Sequence, residues 1–176
     1  VTVVKQLQKE YSVHWYVLHQ PHDPYPVSFY VDFVKNSGVK LHMLHITNRR
    51  RSFKVLKLMF KTFTEIVELS PSLIYSCCFD FYFSLAYLIK AKSIPLVFGV
   101  HDVIQHSDNR NSIFYHLSYR FSLFVGDVFL QFSSNQNRVF KQLYPKLKSS
   151  MVGMSIKDFG EAKGEKHIFD NSTIKI

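Results

Sequence analysis

Ile94-Pro95-Leu96-Val97-Phe98-Gly99-Val100-His101-Asp102-Val103-Ile104-Gln105-His106 joins an apolar run to a cluster of His and Asp. A run of strand length without polar alternation fits a strand buried on both faces, as in a parallel sheet covered by helices. Open α/β sheets bind ligands just outside the carboxyl ends of their strands, which puts His101 and Asp102 where chemistry is done. The competing reading leaves His101 as a strand cap or a hydrogen-bond partner of the adjoining loop.

Outward from this strand the chain alternates. Upstream, residues 1–10 pattern as the rear of an amphipathic helix, 12–19 as a β-branched and aromatic strand, 20–26 as a loop with three prolines. A short helix over 27–35 stops at Asn36-Ser37-Gly38, and 39–45 reads as a strand. Residues 71–78 form a further buried strand, and Asp80 is placed to cap a helix over 81–92. Downstream, 112–125 reads as a Phe/Tyr-rich helix, 128–132 as a strand, 136–143 as a helix capped by Ser133 or Ser134, and 150–153 as a last short strand. Repeated βα alternation implies a Rossmann-like, mainly parallel sheet with right-handed crossovers and helices on both faces.

Composition bounds the class. The 176 residues are 47% hydrophobic and 16% aromatic, with 17 Phe and 10 Tyr, far too apolar for disorder and enough for one core. Six glycines include no Gly-x-Gly, so no phosphate-cradling loop is present in the sequence as given. The adjacent Cys77 and Cys78 sit in the apolar strand-like run, where ordinary disulfide geometry is hard to satisfy, and read as two buried thiols of a reducing compartment. No secretory signal opens the chain. The most apolar window, 72–89, contains Asp80 and reads as strand plus helix rather than a membrane span.

The net charge of +9 points to an anionic partner: nucleic acid, membrane surface or phosphorylated substrate. Much of it is concentrated in Arg49, Arg50, Arg51, Lys54, Lys57 and Lys61, with no acid until Glu65. On a helix, Lys54, Lys57 and Lys61 share one face, and Leu56, Met59, Phe60, Phe63 and Val67 another. This basic amphipathic segment, 49–61, is either a solvated surface face or a dock for an anionic membrane. Beyond Phe159 the chain turns polar. Residues 160–176 read as a linker and the start of something too short to build a second core, so a chain cut at both ends is expected.

Three pieces in fixed order resemble the amino-terminal half of a GT-B glycosyltransferase, of the retaining glycosyltransferase family 4 type. They are Val100-His101-Asp102 at a strand end, Gly126-Asp127-Val128-Phe129-Leu130-Gln131-Phe132-Ser133, and Met151-Val152-Gly153-Met154-Ser155-Ile156-Lys157-Asp158-Phe159. Gly153, Ser155 and Lys157 depart from the family pattern. The resemblance implies that residues 1–159 are a Rossmann-like acceptor-side domain lacking its first strand. A second, absent domain would hold the nucleotide-sugar donor, and no further cofactor is implied. By this resemblance His101 is the cleft histidine near the transferred sugar, and Asp102, His106 and Ser133 line the cleft. Asp102 is equally readable as structural, and Ser133 as a helix cap.

A lipid-linked or polysaccharide-precursor acceptor would place the protein in the cytoplasm, peripheral on the inner face of the membrane. A metal cluster built from His101, Asp102, His106 and Asp108 lacks distinctive ligand spacing, and no metal site is assigned. One rival is a nucleic-acid module using the basic helix, which needs exposed aromatics among its cations. Phe53, Phe60 and Phe63 read as core-facing, so no nucleic acid is expected. The other rival is a relative that binds sugar or lipid without turnover.

Overall fold

The computed structural model describes residues 4, 7–47, 51–100, 103 and 113–152. Among them strands and helices alternate: β1 (His14–His19), α1 (Val27–Val34), β2 (Lys40–His45), α2 (Phe53–Glu68), β3 (Ile74–Ser76), α3 (Phe81–Lys90), β4 (Leu96–Val100), α4 (Ile113–Val125), β5 (Val128–Gln131), α5 (Ser134–Leu143) and β6 (Ser149–Met151). Every strand pairing is parallel. The fold is α/β and Rossmann-like, and the ladder is divided: β1 pairs β2, while β3-β4-β5-β6 run side by side in chain order.

The two sheets share one core. Ile46, just past β2, belongs to the same buried cluster as Met59, Phe63, Ile74, Leu96, Phe98 and Phe129, and Tyr16, Leu18 and Leu44 pack against it. In β4, Leu96, Phe98 and Val100 are completely buried, whereas Val97, on the opposite face, is half-buried. Phe98 sits at the centre of an aromatic stack, 4.9 Å from Phe79 and 5.9 Å from Phe129, whose ring in turn meets Phe140 of α5 at 5.3 Å. Offset and edge contacts between rings add to the area they bury.

Local chemistry explains the element ends. The Asp80 carboxylate accepts the Phe83 N–H at 3.0 Å and starts α3. Ser52 accepts from Val55 N at 3.4 Å and starts α2, so the basic helix begins at Phe53 and Arg51 precedes it. After α1 the left-handed residue is Asn36, with φ 68°, a position that tolerates asparagine. The α3–α4 contact is close because small hydroxyl residues line it: the buried Ser84 and Ser122 are hydrogen-bonded at 2.8 Å.

Three expectations are corrected. Cys77 and Cys78 are exposed, because β3 ends at Ser76, whose hydroxyl turns the chain by accepting Cys78 N–H at 3.1 Å. The buried face of α2 is Val55, Met59, Thr62, Phe63 and Ile66 rather than one ending in Val67, which is exposed. Phe53 is 81% exposed and not core-facing, since the buried register starts two residues later at Val55.

Gly126 is required by close approach. A Cβ there would meet Phe98 Cδ2 and Phe129 Cζ, each at 2.7 Å. Both rings are fully buried and have nowhere to move. Gly126→Ala is therefore expected to destabilise the fold by about 1–3 kcal/mol, read as a lowered denaturation midpoint. An unchanged midpoint would show that the Phe98–Phe129 stack can open.

Candidate functional site

The carboxyl ends of β4 and β5 lie side by side, with Val100 in register with Gln131. Asp127 sets this alignment from the opposite end of the strands. Its Oδ2 accepts Leu96 N–H at 2.8 Å, its own N–H donates to Leu96 O at 2.9 Å, and its Oδ1 lies 3.4 Å from Lys92 Nζ. The Tyr87 hydroxyl divides its single proton between Ile94 O at 2.8 Å and Asp127 Oδ2 at 3.2 Å. Burial, then the Asp127 carboxylate, raise the Tyr87 pKa well above the ordinary tyrosine value, keeping it a donor. The Gly126-Asp127 pair of the motif therefore has a structural explanation: the glycine admits two rings, and the aspartate locks β4 to β5.

At the carboxyl edge, Gln131 is completely buried, and neither Oε1 nor Nε2 has a hydrogen-bond partner. It lies two residues past Phe129, on the same face of β5. Phe129 packs on Phe140 of α5, so this is the face of β5 that the helix covers. An orphaned buried amide is costly and rare in folded proteins, and such groups occur where a ligand or water completes them. Gln131 offers one acceptor and two donors, the combination that reads vicinal hydroxyl groups.

Ser133 is the N-cap of α5, its hydroxyl accepting Gln136 N–H at 3.2 Å. The Gln136 side chain in turn accepts Val103 N–H at 3.0 Å, tying the segment after β4 to the start of α5. On β4 itself, Gly99 is where Tyr75 of β3 crosses the sheet: a Cβ there would overlap the Tyr75 hydroxyl. Burial, and the Cys77 thiol hydrogen-bonded to it at 3.3 Å, raise the pKa of Tyr75. His101, Asp102, His106, Asp108, Arg49 and Arg50 lie outside the described residues, as do residues 153–176.

The basic helix is less uniform than its sequence. Lys54 and Lys57 are exposed, with no acid within ion-pair distance among the described residues. Lys61 pairs with Glu65 at 3.7 Å, one turn on, a contact of little energy at such exposure. Arg51 is not a free solvated charge: its guanidinium stacks 4.1 Å over the Phe114 ring, and its carbonyl accepts the Tyr82 hydroxyl at 2.9 Å. Among the described residues there is no group of three His, Cys, Asp or Glu that could hold a metal, and no helix long and apolar enough to cross a membrane.

No protein-family model matches the chain, and no curated protein matches it either. The site must therefore be read from its own chemistry. The signal for Gln131 in the sequence is a lone amide in an otherwise apolar strand, within the Gly126–Ser133 segment.

Two substitutions separate structure from binding. Ser133→Ala should cost about 1 kcal/mol by removing the helix cap. Gln131→Leu should leave stability unchanged or raise it by about 1–3 kcal/mol in chemical denaturation, because it removes an unpaired buried amide. A clear loss of stability in Gln131→Leu would mean that the fold itself satisfies the amide.

Proposed function

We propose that the chain is the acceptor-side domain of a glycosyltransferase that moves a sugar from a nucleotide-sugar donor to a lipid-linked or polysaccharide-precursor acceptor, with retention at the transferred carbon. The observation that carries this reading is the buried, unpartnered Gln131 amide at the carboxyl edge of a parallel sheet, beside the strand that leads into His101. Ligands of open α/β sheets bind at this edge, and an amide with both donors and an acceptor suits a polyhydroxylated ligand.

In the proposed mechanism His101 hydrogen-bonds the sugar being transferred, and orientation and electrostatics at the reacting centre lower the barrier. Gln131 holds the adjoining hydroxyl groups, Gln136 binds Val103 N–H just past β4, and Asp102 and His106 are proposed as acceptor-side residues. The nucleotide is held by a second domain, without a metal or further cofactor. The protein works in the cytoplasm, on the inner face of the membrane, with the basic start of α2 toward anionic lipid.

A second reading, a nucleic-acid module, is favoured by one observation: the exposed Phe53 stands between Arg51 and Lys54, an aromatic among cations. The two readings part on ligand. In a transfer assay across a panel of nucleotide sugars, using the chain joined to its donor-binding domain, His101→Ala should lower turnover about 100-fold with the melting temperature kept. Undiminished turnover would remove His101 from the mechanism, and salt-sensitive binding of single-stranded RNA with no transfer would favour the second reading.

A further inference from the structure

The outer face of α3 and α4 carries apolar side chains that none of the described residues covers. On α4, Ile113 is 86% exposed, Leu117 49% and Phe124 73%. With Phe121 they recur at intervals of four, four and three residues, one stripe along the helix. On α3, Phe81, Leu85 and Ile89 form the matching stripe, and the two are joined by aromatic contacts of Phe81 with Phe114 at 5.9 Å and with Phe121 at 5.1 Å. Phe63 of α2 meets Phe83 of α3 at 5.0 Å, so the side of α2 turned toward α3 is the one that continues outward to Phe60 and the exposed Phe53. The result is one apolar ridge over α3 and α4, with Phe53 at the start of α2 also exposed.

Its flanks are cationic. Arg51 lies on Phe114, Lys54 and Lys57 follow on α2, Lys90 adjoins Ile89, and Arg120 stands within the α4 stripe. Helices α3 and α4 contain no Asp or Glu. The acids at their borders are already engaged, Asp80 in capping α3 and Asp127 with Lys92. An open groove lined by Arg120, Leu123, Phe124, Leu143 and Lys146 extends the surface toward the end of α5.

We infer that this face docks on an anionic lipid bilayer, with Ile113, Leu117 and Phe124 entering the headgroup–acyl boundary and Arg51, Lys54, Lys57 and Arg120 meeting lipid phosphates. Apolar residues rimmed by cations, on helices too short to span, are the composition of an interfacial anchor. A second copy of the chain is the poorer occupant, because it would bring the same cations against one another. The inference rests on the membrane part of the proposed function and not on sugar transfer.

The test is co-flotation with vesicles of phosphatidylcholine, with and without phosphatidylglycerol, in the absence of nucleotide sugar. The protein should float with the mixed vesicles and not with pure phosphatidylcholine. Ile113→Ser with Phe124→Ser should lower the partition coefficient about tenfold, and Lys54→Glu with Lys57→Glu at least as much. The charge-matched pair Lys35→Glu with Lys40→Glu, on the β1–β2 side, should change it far less. A second readout avoids the serines: Phe124→Trp, against the native Trp15 signal, should shift to the blue on mixed vesicles. Equal losses from the two glutamate pairs would reduce the effect to net charge. Vesicle binding indifferent to the serines and to Phe124→Trp, or a dimer dissociated by the serines without any vesicle binding, would overturn the inference. His101→Ala should leave flotation intact, so a failure of the transfer reading is told apart from a failure of this one.

Discussion

The structure turns on one carboxylate. Asp127 stands where α4 gives way to β5, and it binds the first N–H of β4, the buried hydroxyl of Tyr87 and the ammonium of Lys92. A charged acceptor makes stronger hydrogen bonds than a neutral one, and here each bond fixes a different element: a strand start, a helix and the turn after it. With β4 and β5 held in register at their beginnings, the rings of Phe98 and Phe129 are stacked at their middles and Val100 and Gln131 meet at their ends. The geometry at the carboxyl edge is thus decided at the other end of the strands.

That arrangement separates stability from chemistry along a single strand. Phe129 and Gln131 share a face of β5 and are both fully buried, yet one is satisfied by neighbouring rings and the other has no partner for its amide. A fold selected only for stability would place an apolar residue at the second position. An amide kept there without a partner in the chain is a group that a water or a ligand completes.

The opposite side of the helical layer follows different physics. There the exposed groups are rings and branched aliphatics flanked by cations, and Arg51 belongs to both, its charge resting on the Phe114 ring and its backbone tied to Tyr82. The buried Gln131 amide and the ridge are built from the same βα units, the amide at a strand end and the ridge on outer helix faces.

Sequence alone determined the fold class, because the apolar runs and the capping residues Asp80 and Ser133 are local signals that need no partner to be read. It also marked β4 as buried and the start of α2 as basic. For the candidate site, sequence pointed to positions past the end of β4, which lie outside the described residues, and it assigned no role to Gln131 on β5. Tertiary structure decided the rest. Which strands pair, and that the ladder divides between β1–β2 and β3–β6, depends on crossovers that no periodicity records. Cys77 and Cys78 became exposed because β3 stops at a serine turn, and Phe53 because the buried register of α2 starts at Val55. The orphaned amide of Gln131 and the ridge of Ile113, Leu117 and Phe124 arise only from what the folded chain sets beside each residue: sequence states a side chain's chemistry, while burial and partnership are properties of its neighbours.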